Sequence, residues 1–441
     1  MPAVPTAMPF LPESQVVYPA TTVSGMLRMP GDKSISHRYA MLAAIAEGAS
    51  RLHNYSTGQD CASTLSCLRE LGCDWKKDSA ADNTIIIEGH GPMLDKPKQA
   101  LNCGNSGSTM RMLSGILAGQ DFACELIGDE SLSRRPMARI MAPLRQMGAE
   151  ISAAEGQRPP LLIHGAKLKA IEYTTPVASA QVKSCVLFAG LLADGVTQVS
   201  EPVRTRDHGE LALRAFGAEV HKDGNRACIR GGQQLHGIEA TIPGDISSAA
   251  FFLCAAALFP ESELTISGLL MNPTRARLLD FLIQLGVKVA VVQIEQHHGE
   301  LVGTVEVKGG ALGGITISGA DSAALIDELP VLAAIAPYTR AGVEIRDASE
   351  LRVKESDRIA VVAQSLRAMG ARVEERADGL AVPGDQSLHG AEIDSRGDHR
   401  IAMAFAVAAL RAQGATRILN ADAADVSYPG FFRDLATVAQ R

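Results

Sequence analysis

The sequence predicts an α+β protein of two domains, built from six copies of one helix-and-strand unit. The first observation is a segment marked by Gly, Ser or Asp, followed by an Ala/Leu-rich helical stretch, which recurs at a spacing of roughly 70 residues. The six segments begin at residues 31–34, 104–107, 178–181, 244–247, 321–323 and 397–400. Six such mixed units favour α+β over a dinucleotide-binding sheet, because no GxGxxG fingerprint opens a βαβ unit.

The second observation is a glycine that closes a helix in five of the units. A glycine after the last helical turn adopts the left-handed conformation cheaply, and β-branched residues such as Ile151 and Val373 follow soon after, which favours a strand. The closing glycines are Gly72, Gly148, Gly217, Gly286 and Gly370. Each unit should therefore read helix, strands, helix, strands.

The third observation is a close internal match between residues 30–34, PGDKS, and residues 243–247, PGDIS. The two copies stand at the ends of one long block, so they predict paired crossovers between two domains. We expect one domain over residues 31–242 and a second assembled from residues 1–30 plus 243–441, with crossovers near 28–33 and 241–246. Chance recurrence of a Pro-Gly-Asp turn is the alternative.

Composition excludes several classes of protein. The 441 residues are 46% hydrophobic, yet no apolar run has the length of a membrane helix. A net charge of −7 and a single Trp argue against nucleic acid as a general partner. The eight cysteines are scattered without a metal-binding or disulfide pattern, and we expect reduced thiols. Residues 1–20 lack Lys and Arg, which predicts a loose leader before Val16 in a cytoplasmic protein.

Two glycine-marked helix starts could bind anions, because the first backbone N–H groups of a helix lack partners and its dipole is positive there. Residues 31–38, GDKSISHR, add Lys33, Ser34 and Arg38, although the spacing is not that of a Walker loop. Residues 104–111, GNSGSTMR, add two glycines that let a ligand approach the backbone. Ordinary capped helices are the alternative for both.

Three further motifs bring together charges of both signs. Residues 128–136 place tandem arginines before a proline, a fork suited to carboxylate or phosphate. In residues 351–358, LRVKESDR, Lys354 and Arg358 would share one helix face with Glu355 to the side, or form a salt-bridged surface helix. Asp327 precedes an apolar helix and could be a rigidly held base, or simply a charge at a helix start. We expect His37, His208 and His399 to be structural histidines, because no regular ligand spacing links them.

Taken together, five motifs resemble the 5-enolpyruvylshikimate-3-phosphate synthase family of enolpyruvyl transferases, over about residues 25–429. They are residues 30–38 (PGDKSISHR), 104–111 (GNSGSTMR), 179–183 (SAQVK), 351–358 (LRVKESDR) and 398–403 (DHRIAM). Residues 179–181 and 205–208 resemble the class II branch more than the enteric branch. The resemblance implies two domains, each of three βαβαββ units around a pseudo-threefold axis (an inside-out α/β barrel), with the active site in the cleft between them.

The resemblance also implies site residues. Those expected around shikimate 3-phosphate are Lys33, Ser34, Arg38, Ser179, Ala180, Gln181, Arg206, Asp327 and Lys354. Those expected around phosphoenolpyruvate are Lys33, Gly107, Arg135, Gln181, Arg358 and Arg400, with Asn105 and Asp60 in support. Asp327 would be the base toward the 5-hydroxyl, and Glu355, with Lys33, the proton donor to the methylene carbon. No metal or cofactor is expected, and the family implies a monomer.

One departure and two alternatives accompany this resemblance. The enteric branch has a C-terminal lysine where this chain reads Val426-Ser427-Tyr428-Pro429, so a cation on phosphoenolpyruvate from that segment is in doubt. A UDP-N-acetylglucosamine enolpyruvyl transferase would need a loop cysteine, but residues 128–136 have none and Cys124 reads as part of a strand. A non-catalytic repeat protein that binds a phosphorylated metabolite would have no reason to place carboxylates beside its cations. A glycine at 107 predicts sensitivity to glyphosate, reduced by Gly107→Ala.

Overall fold

The computed structural model describes residues 14–441, so most of the predicted leader lies outside the described residues. A helix begins within five of the six segments that the sequence marks, and the sixth segment, at 321–323, lies inside a short helix. The α-helices are α1 (Lys33–Ala44), α2 (Gln59–Glu70), α3 (Gly107–Leu117), α4 (Ala138–Gln146), α5 (Ala180–Leu191), α6 (His208–Ala215), α7 (Ile246–Ala257), α8 (Arg277–Gln284), α9 (Ala320–Ala324), α10 (Leu329–Ile335), α11 (Arg358–Ala368), α12 (His399–Ala409) and α13 (Phe431–Val438). Short 3₁₀ turns cover Leu132–Arg134, Ala336–Tyr338, Ser349–Val353 and Ala421–Val426.

The strands are short and follow the helices in a regular order. They are β1 (Gln15–Val17), β2 (Thr22–Val23), β3 (Gly25–Arg28), β4 (Glu47–His53), β5 (Asp74–Lys77), β6 (Ile85–His90), β7 (Leu101–Asn102), β8 (Ala123–Ile127), β9 (Glu150–Ala154), β10 (Arg158–His164), β11 (Glu172–Thr174), β12 (Val196–Ser200), β13 (Val220–Asp223), β14 (Arg226–Arg230), β15 (Glu239–Thr241), β16 (Glu263–Leu270), β17 (Lys288–His297), β18 (Glu300–Lys308), β19 (Gly314–Ile317), β20 (Gly342–Ile345), β21 (Glu374–Arg376), β22 (Gly379–Val382), β23 (Glu392–Asp394), β24 (Thr416–Leu419) and β25 (Ala439–Gln440).

Six sheets share one pairing rule, which confirms the repeated α+β unit. Each sheet has one parallel pair, joined in most units by a buried helix, and antiparallel strands next to it. The strand orders are β15-β4-β6-β5, β7-β8-β10-β9, β11-β12-β14-β13, β17-β18-β16-β3, β19-β20-β22-β21 and β23-β24-β1, with β2-β25 as a separate pair. All five predicted closing glycines have positive φ, as a left-handed helix end requires.

The core lies between the sheets, around the first helix of each unit. Helix α3 packs against α5 and α1, while α10 packs against α12 and α7. Every residue of α7, α10 and α12 is buried, because these helices are apolar on all sides beyond their first turns. Within residues 14–441, no helix is both long enough and apolar enough to cross a bilayer.

The two Pro-Gly-Asp segments meet each other in space. Asp32 donates its N–H to the carbonyl of Pro243 (2.7 Å), and Asp245 donates to the carbonyl of Pro30 (2.9 Å). Gly31 and Gly244 form an antiparallel bridge between these bonds. A Cβ at Gly31 would lie 1.8 Å from the carbonyl oxygen of Asn54, so only glycine permits this close approach. The segments therefore run side by side, and helices α1 and α7 start from the same place.

One local expectation is wrong. Residues 354–357 are not helical, because the 3₁₀ turn ends at Val353, Lys354 is extended, and α11 begins only at Arg358 with Asp357 as its N-cap. The Asp357 carboxylate accepts the N–H of Ala360, which fixes the helix start there. Lys354 and Arg358 therefore do not share a helix face, although both still approach Asp327.

Candidate active site

A cleft of about 530 Å³ lies where the helix starts converge. It is lined by Lys33, Ser34, Asp60, Asn105, Gly107, Arg135, Ser179, Ala180, Gln181, Arg206, Asp327, Lys354, Glu355, Arg358 and Arg400. The sequence predicted all of these positions. The folding of six similar units thus brings residues that are hundreds of positions apart into one cavity.

Lys33 is the first residue of α1, and its ammonium contacts the Asp60 carboxylate at 2.8 Å. Burial opposes the charged form, but Asp60 outweighs it and holds the pKa of Lys33 above its ordinary value. Lys33 is therefore protonated at neutral pH. Asp60 supports it from α2, as the sequence led us to expect.

The start of α3 forms a second anion-binding corner. Arg135 donates to Asn105 Oδ1 (3.0 Å) and to Ser131 Oγ (3.2 Å), which directs its guanidinium toward the cleft. Gln181, from α5, donates to Ser108 Oγ at 2.9 Å. A Cβ added at Gly107 would lie 3.4 Å from Arg135 Nη1. The glycine therefore keeps the space in front of this guanidinium open.

Asp327 lies in the turn between α9 and α10 and is surrounded by cations. Its Oδ2 accepts a hydrogen bond from Arg206 (2.8 Å), and its Oδ1 lies 3.8 Å from Lys354 Nζ and 3.7 Å from Arg358 Nη1. Burial opposes ionisation, but Lys354, Arg206 and further arginines outweigh it and hold the pKa of Asp327 well below its ordinary value. Asp327 is an ionised carboxylate.

Glu355 forms the opposite end of the charged group. Its Oε1 lies 3.1 Å from Arg135 Nη1, and its Oε2 accepts from Arg358 Nη2 at 2.6 Å. Despite burial, Arg358 and Arg135 hold the pKa of Glu355 well below its ordinary value. Arg358 is fixed in turn by the fully buried Asp398, through bonds of 2.9 and 3.2 Å.

Arg38 is the predicted site residue that does not line the cleft. Its guanidinium is buried and donates to the carbonyl of Ser34 (2.8 Å) and to Ser184 Oγ (2.9 and 3.1 Å). Burial lowers the pKa of Arg38 to about 10, although it remains charged at neutral pH. In this arrangement Arg38 supports the start of α1, and contact with a ligand stays a prediction.

Sequence reasoning missed other polar residues of the cleft. Arg111 donates to Gln181 Oε1 at 2.9 Å, and Arg139 forms a two-bond ion pair with Glu350 at 2.8 and 3.3 Å. His399, which we expected to be only structural, also lines the cavity, and burial holds its pKa well below the ordinary value. Arg111 could have been predicted from the sequence. It follows Gly107 by four positions and so lies on the same face of α3.

The arrangement suits a ligand or ligands with several negative charges. Lys33, Arg135, Arg206, Lys354 and Arg358 surround two ionised carboxylates, and phosphate or carboxylate groups would compete with these carboxylates for the same guanidinium groups. A family model described as "EPSP synthase (3-phosphoshikimate 1-carboxyvinyltransferase)" matches residues 17–435. The chain belongs to the EPSP synthase family.

Relatives in the EPSP synthase family match over nearly the whole length. The chain is 61% identical to the 3-phosphoshikimate 1-carboxyvinyltransferase of Koribacter versatilis (strain Ellin345), over 96% of this chain and 99% of the relative. It is 55% identical to that of Solibacter usitatus (strain Ellin6076), over the same shares. A solved EPSP synthase structure from Acinetobacter baumannii superposes with a TM-score of 0.86 at 40% identity, covering 97% of this chain and 98% of the other.

Proposed function

We propose that this chain is a 3-phosphoshikimate 1-carboxyvinyltransferase, which transfers the enolpyruvyl group of phosphoenolpyruvate to the 5-hydroxyl of shikimate 3-phosphate and releases phosphate. This reaction serves the shikimate pathway to chorismate and the aromatic amino acids. One observation carries the proposal: the carboxylates of Asp327 and Glu355 lie inside a cation-rich cleft, each within ion-pair distance of at least two basic side chains. Pure anion binding gives no reason for them, whereas proton transfer between two anionic substrates requires such groups.

The proposed binding roles are those that the family resemblance implies, and every residue named for them except Arg38 lines the cleft. Shikimate 3-phosphate would lie against Lys33, Ser34, Arg38, Ser179, Ala180, Gln181, Arg206, Asp327 and Lys354. Phosphoenolpyruvate would lie against Lys33, Gly107, Arg135, Gln181, Arg358 and Arg400. Asn105 and Asp60 would orient Arg135 and Lys33, which is the role that their hydrogen bonds support.

The proposed addition step forms a C–O bond between the 5-hydroxyl oxygen and the central carbon of phosphoenolpyruvate. Asp327 takes the hydroxyl proton, while the methylene carbon gains a proton and becomes a methyl group. Lys33 lines the cleft and is protonated, so we propose it as a carrier of that proton, although its raised pKa makes it a weak acid until a neighbouring charge changes. Glu355 can share this role only when substrate anions draw Arg135 and Arg358 away and its pKa rises.

The proposed elimination step reverses the proton movement at the methyl group. The tetrahedral adduct loses a methyl proton, the C=C bond re-forms, and the C–O bond to phosphate breaks. An ionised carboxylate at Glu355 is suited to accept that proton. The Lys and Arg groups stabilise the charge that develops on the leaving phosphate, so the proposed steps call for no metal ion or cofactor.

We also propose the domain division at residues 31–242, with the remainder forming the second domain. Every sheet supports it, because no described sheet mixes strands from the two sides of that division. The cross-cleft pairs Arg206–Asp327 and Arg135–Glu355 then join the domains at the active site. A monomeric, cytoplasmic enzyme is proposed from the family resemblance.

The sugar-nucleotide alternative is disfavoured by the position of Cys124. This residue lies on β8 rather than in a loop, and burial raises the pKa of its thiol to about 12. A thiol held in that form is a poor nucleophile or acid for a cleft reaction.

The test is a measurement of inorganic phosphate release with phosphoenolpyruvate plus shikimate 3-phosphate, in the presence of a chelator. Release should require both substrates, survive chelation, and be absent when UDP-N-acetylglucosamine replaces shikimate 3-phosphate. Phosphate release from phosphoenolpyruvate with the sugar nucleotide but not with shikimate 3-phosphate would favour the alternative transferase. If no phosphate is released with either acceptor, the non-catalytic binding protein would be favoured instead.

A further inference from the structure

A buried ion cluster lies beneath the cleft, at the point where the two Pro-Gly-Asp segments meet. We call it the crossover cluster; its members are Asp32, Asp245, Ser247, Arg275 and Glu328. Arg275 is the cation of this cluster, and its side chain is only 3% exposed. It belongs to the segment between β16 and α8, and it does not line the cleft, although its neighbours Pro273 and Thr274 do.

The guanidinium of Arg275 joins both helix starts of the crossover. Its Nη1 lies 3.2 Å from Asp32 Oδ2, and its Nη2 donates to Ser247 Oγ at 2.7 Å and lies 3.6 Å from Asp245 Oδ1. Asp32 is the N-cap of α1, and Asp245 is the N-cap of α7. Despite burial, these carboxylates hold the pKa of Arg275 above its ordinary value, so it is always charged.

The partners of Arg275 each contact a proposed site residue or its neighbour. Asp245 Oδ2 accepts the backbone N–H of Lys33 at 3.1 Å, and the carbonyl of Ser247 accepts from Arg400 Nη1 at 3.0 Å. The Ser247 hydroxyl also donates to Glu328, which directly follows Asp327 in the chain. The Arg275 guanidinium therefore contacts the groups that hold Lys33, Arg400 and the residue next to Asp327. The three site residues Lys33, Asp327 and Arg400 come from three different repeated units.

The geometry of the cluster requires the two separate donor nitrogens of a guanidinium group rather than a single point of positive charge. Three carboxylates, on Asp32, Asp245 and Glu328, are at most 6% exposed, and each would be costly to bury without a nearby cation. A planar guanidinium can bond to Asp32 with one nitrogen and to Ser247 with the other. A lysine ammonium is a point donor on a flexible stem and cannot hold both at these positions.

We propose that Arg275 is a positioning residue, which sets Lys33, Asp327 and Arg400 relative to one another through the crossover cluster. The inference rests on the proposed function, since these three residues act on the substrates there. Misplacement by about 1 Å can slow a reaction by roughly a hundredfold while the ligand contacts survive. Loss of the fork should therefore lower kcat far more than it weakens substrate binding.

The test compares Arg275→Lys with Arg411→Lys. The control makes the same replacement of a guanidinium by an ammonium at a residue outside the crossover cluster and the cleft. Arg411 lies away from the cleft, donates to the carbonyl of Leu258 at 2.6 Å and lies over the ring of Tyr338. Ser247→Ala is the second variant, because it removes the link to Glu328 while keeping every charge. Circular dichroism and thermal unfolding give the folded fraction, steady-state kinetics give kcat per folded molecule, and calorimetry gives the dissociation constant of shikimate 3-phosphate.

We expect kcat per folded molecule to fall roughly tenfold or more in Arg275→Lys and severalfold in Ser247→Ala. The dissociation constant should change less than about threefold, and Arg411→Lys should match the unaltered protein. Unchanged kcat in both cluster variants of an active enzyme, or lost affinity with kcat intact, would overturn the positioning role alone. An unaltered protein that releases no phosphate would overturn the proposed function and this inference together.

Discussion

The two walls of the cleft are built from similar units but carry different chemistry. The first wall, from residues 31–242, contributes Lys33, Arg135 and Arg206, and its one predicted carboxylate, Asp60, is engaged with Lys33. The second wall, from residues 243–441, contributes cations as well as Asp327 and Glu355, two carboxylates that form ion pairs with arginines of both walls. Both walls carry cations suited to anions, whereas the proton transfers that we propose use the carboxylates of the second wall together with Lys33.

Ion pairs across the cleft connect these two functions. Arg206 contacts Asp327, and Arg135 contacts Glu355. Substrate phosphate and carboxylate groups would take up the same guanidinium groups, and each carboxylate would then lose a partner that depresses its pKa. Binding at the first wall should thus make the carboxylates of the second wall better proton acceptors.

The largest expected effect comes from removing a carboxylate of the second wall. Glu355→Gln keeps the shape of the side chain but cannot exchange a proton, so kcat should fall by roughly 10²- to 10⁴-fold. The exposed Glu374 provides the control, as Glu374→Gln should leave steady-state kinetics unaltered. A Glu355→Gln enzyme with normal kcat would remove Glu355 from the mechanism.

The next prediction compares how much an arginine of each wall contributes to the free energy of unfolding. Arg358→Gln leaves Asp398, which is fully buried, without its guanidinium partner, and should lower the free energy of unfolding by about 3–5 kcal/mol. Arg135→Gln in the first wall should cost less, because its carboxylate partner Glu355 is 17% exposed and keeps Arg358. Urea unfolding measures both, and equal losses would contradict this difference between the walls.

A smaller effect is expected at the glycine of the first wall. The Cβ of Gly107→Ala would lie 2.9 Å from Arg111 Nη1 and 3.4 Å from Arg135 Nη1, so a guanidinium must shift. The added methyl group would also fill part of the space in front of Arg135, and we expect roughly tenfold weaker inhibition by glyphosate in competition with phosphoenolpyruvate. Equal inhibition constants for the two forms would place the inhibitor away from Gly107.

The smallest effect concerns a feature that the walls share, a buried histidine beside the cations. Burial, with Lys33 nearby, holds the pKa of His37 and of His399 well below the ordinary value. The unfolded chain then binds more protons below about pH 6.5, so stability should fall there by up to about 1.4 kcal/mol per histidine for each pH unit. Urea unfolding between pH 7.5 and 5.5 should show a weaker pH dependence in His37→Gln.

The exposed His90 is the control for this last prediction, since His90→Gln should keep the pH dependence of the unaltered protein. A steeper loss of stability on acidification in His37→Gln would contradict the neutral state of His37.

Local patterns of the sequence were enough for the repeated unit, whereas most residues of the cleft were expected only because five motifs together resemble a known family. Closing glycines such as Gly148 and helix starts such as residues 104–111 have local causes, so they could be read directly. The motif at residues 351–358 was misjudged because the Asp357 cap fixes the start of α11 later than helical spacing implied. Arg275 could not be found from the sequence, because its partner Asp32 is 243 positions away.

The division between the walls is tested most directly on the two partners of one cross-cleft ion pair. The measurement is kcat together with the dissociation constant of shikimate 3-phosphate for Asp327→Asn and Arg206→Gln. Asp327→Asn should lose roughly 10²- to 10⁴-fold in kcat with nearly unchanged affinity. Arg206→Gln should lose roughly 10- to 150-fold in affinity with a smaller change in kcat. The same pattern in both variants, whether loss of affinity or loss of kcat, would contradict separate roles for the two walls.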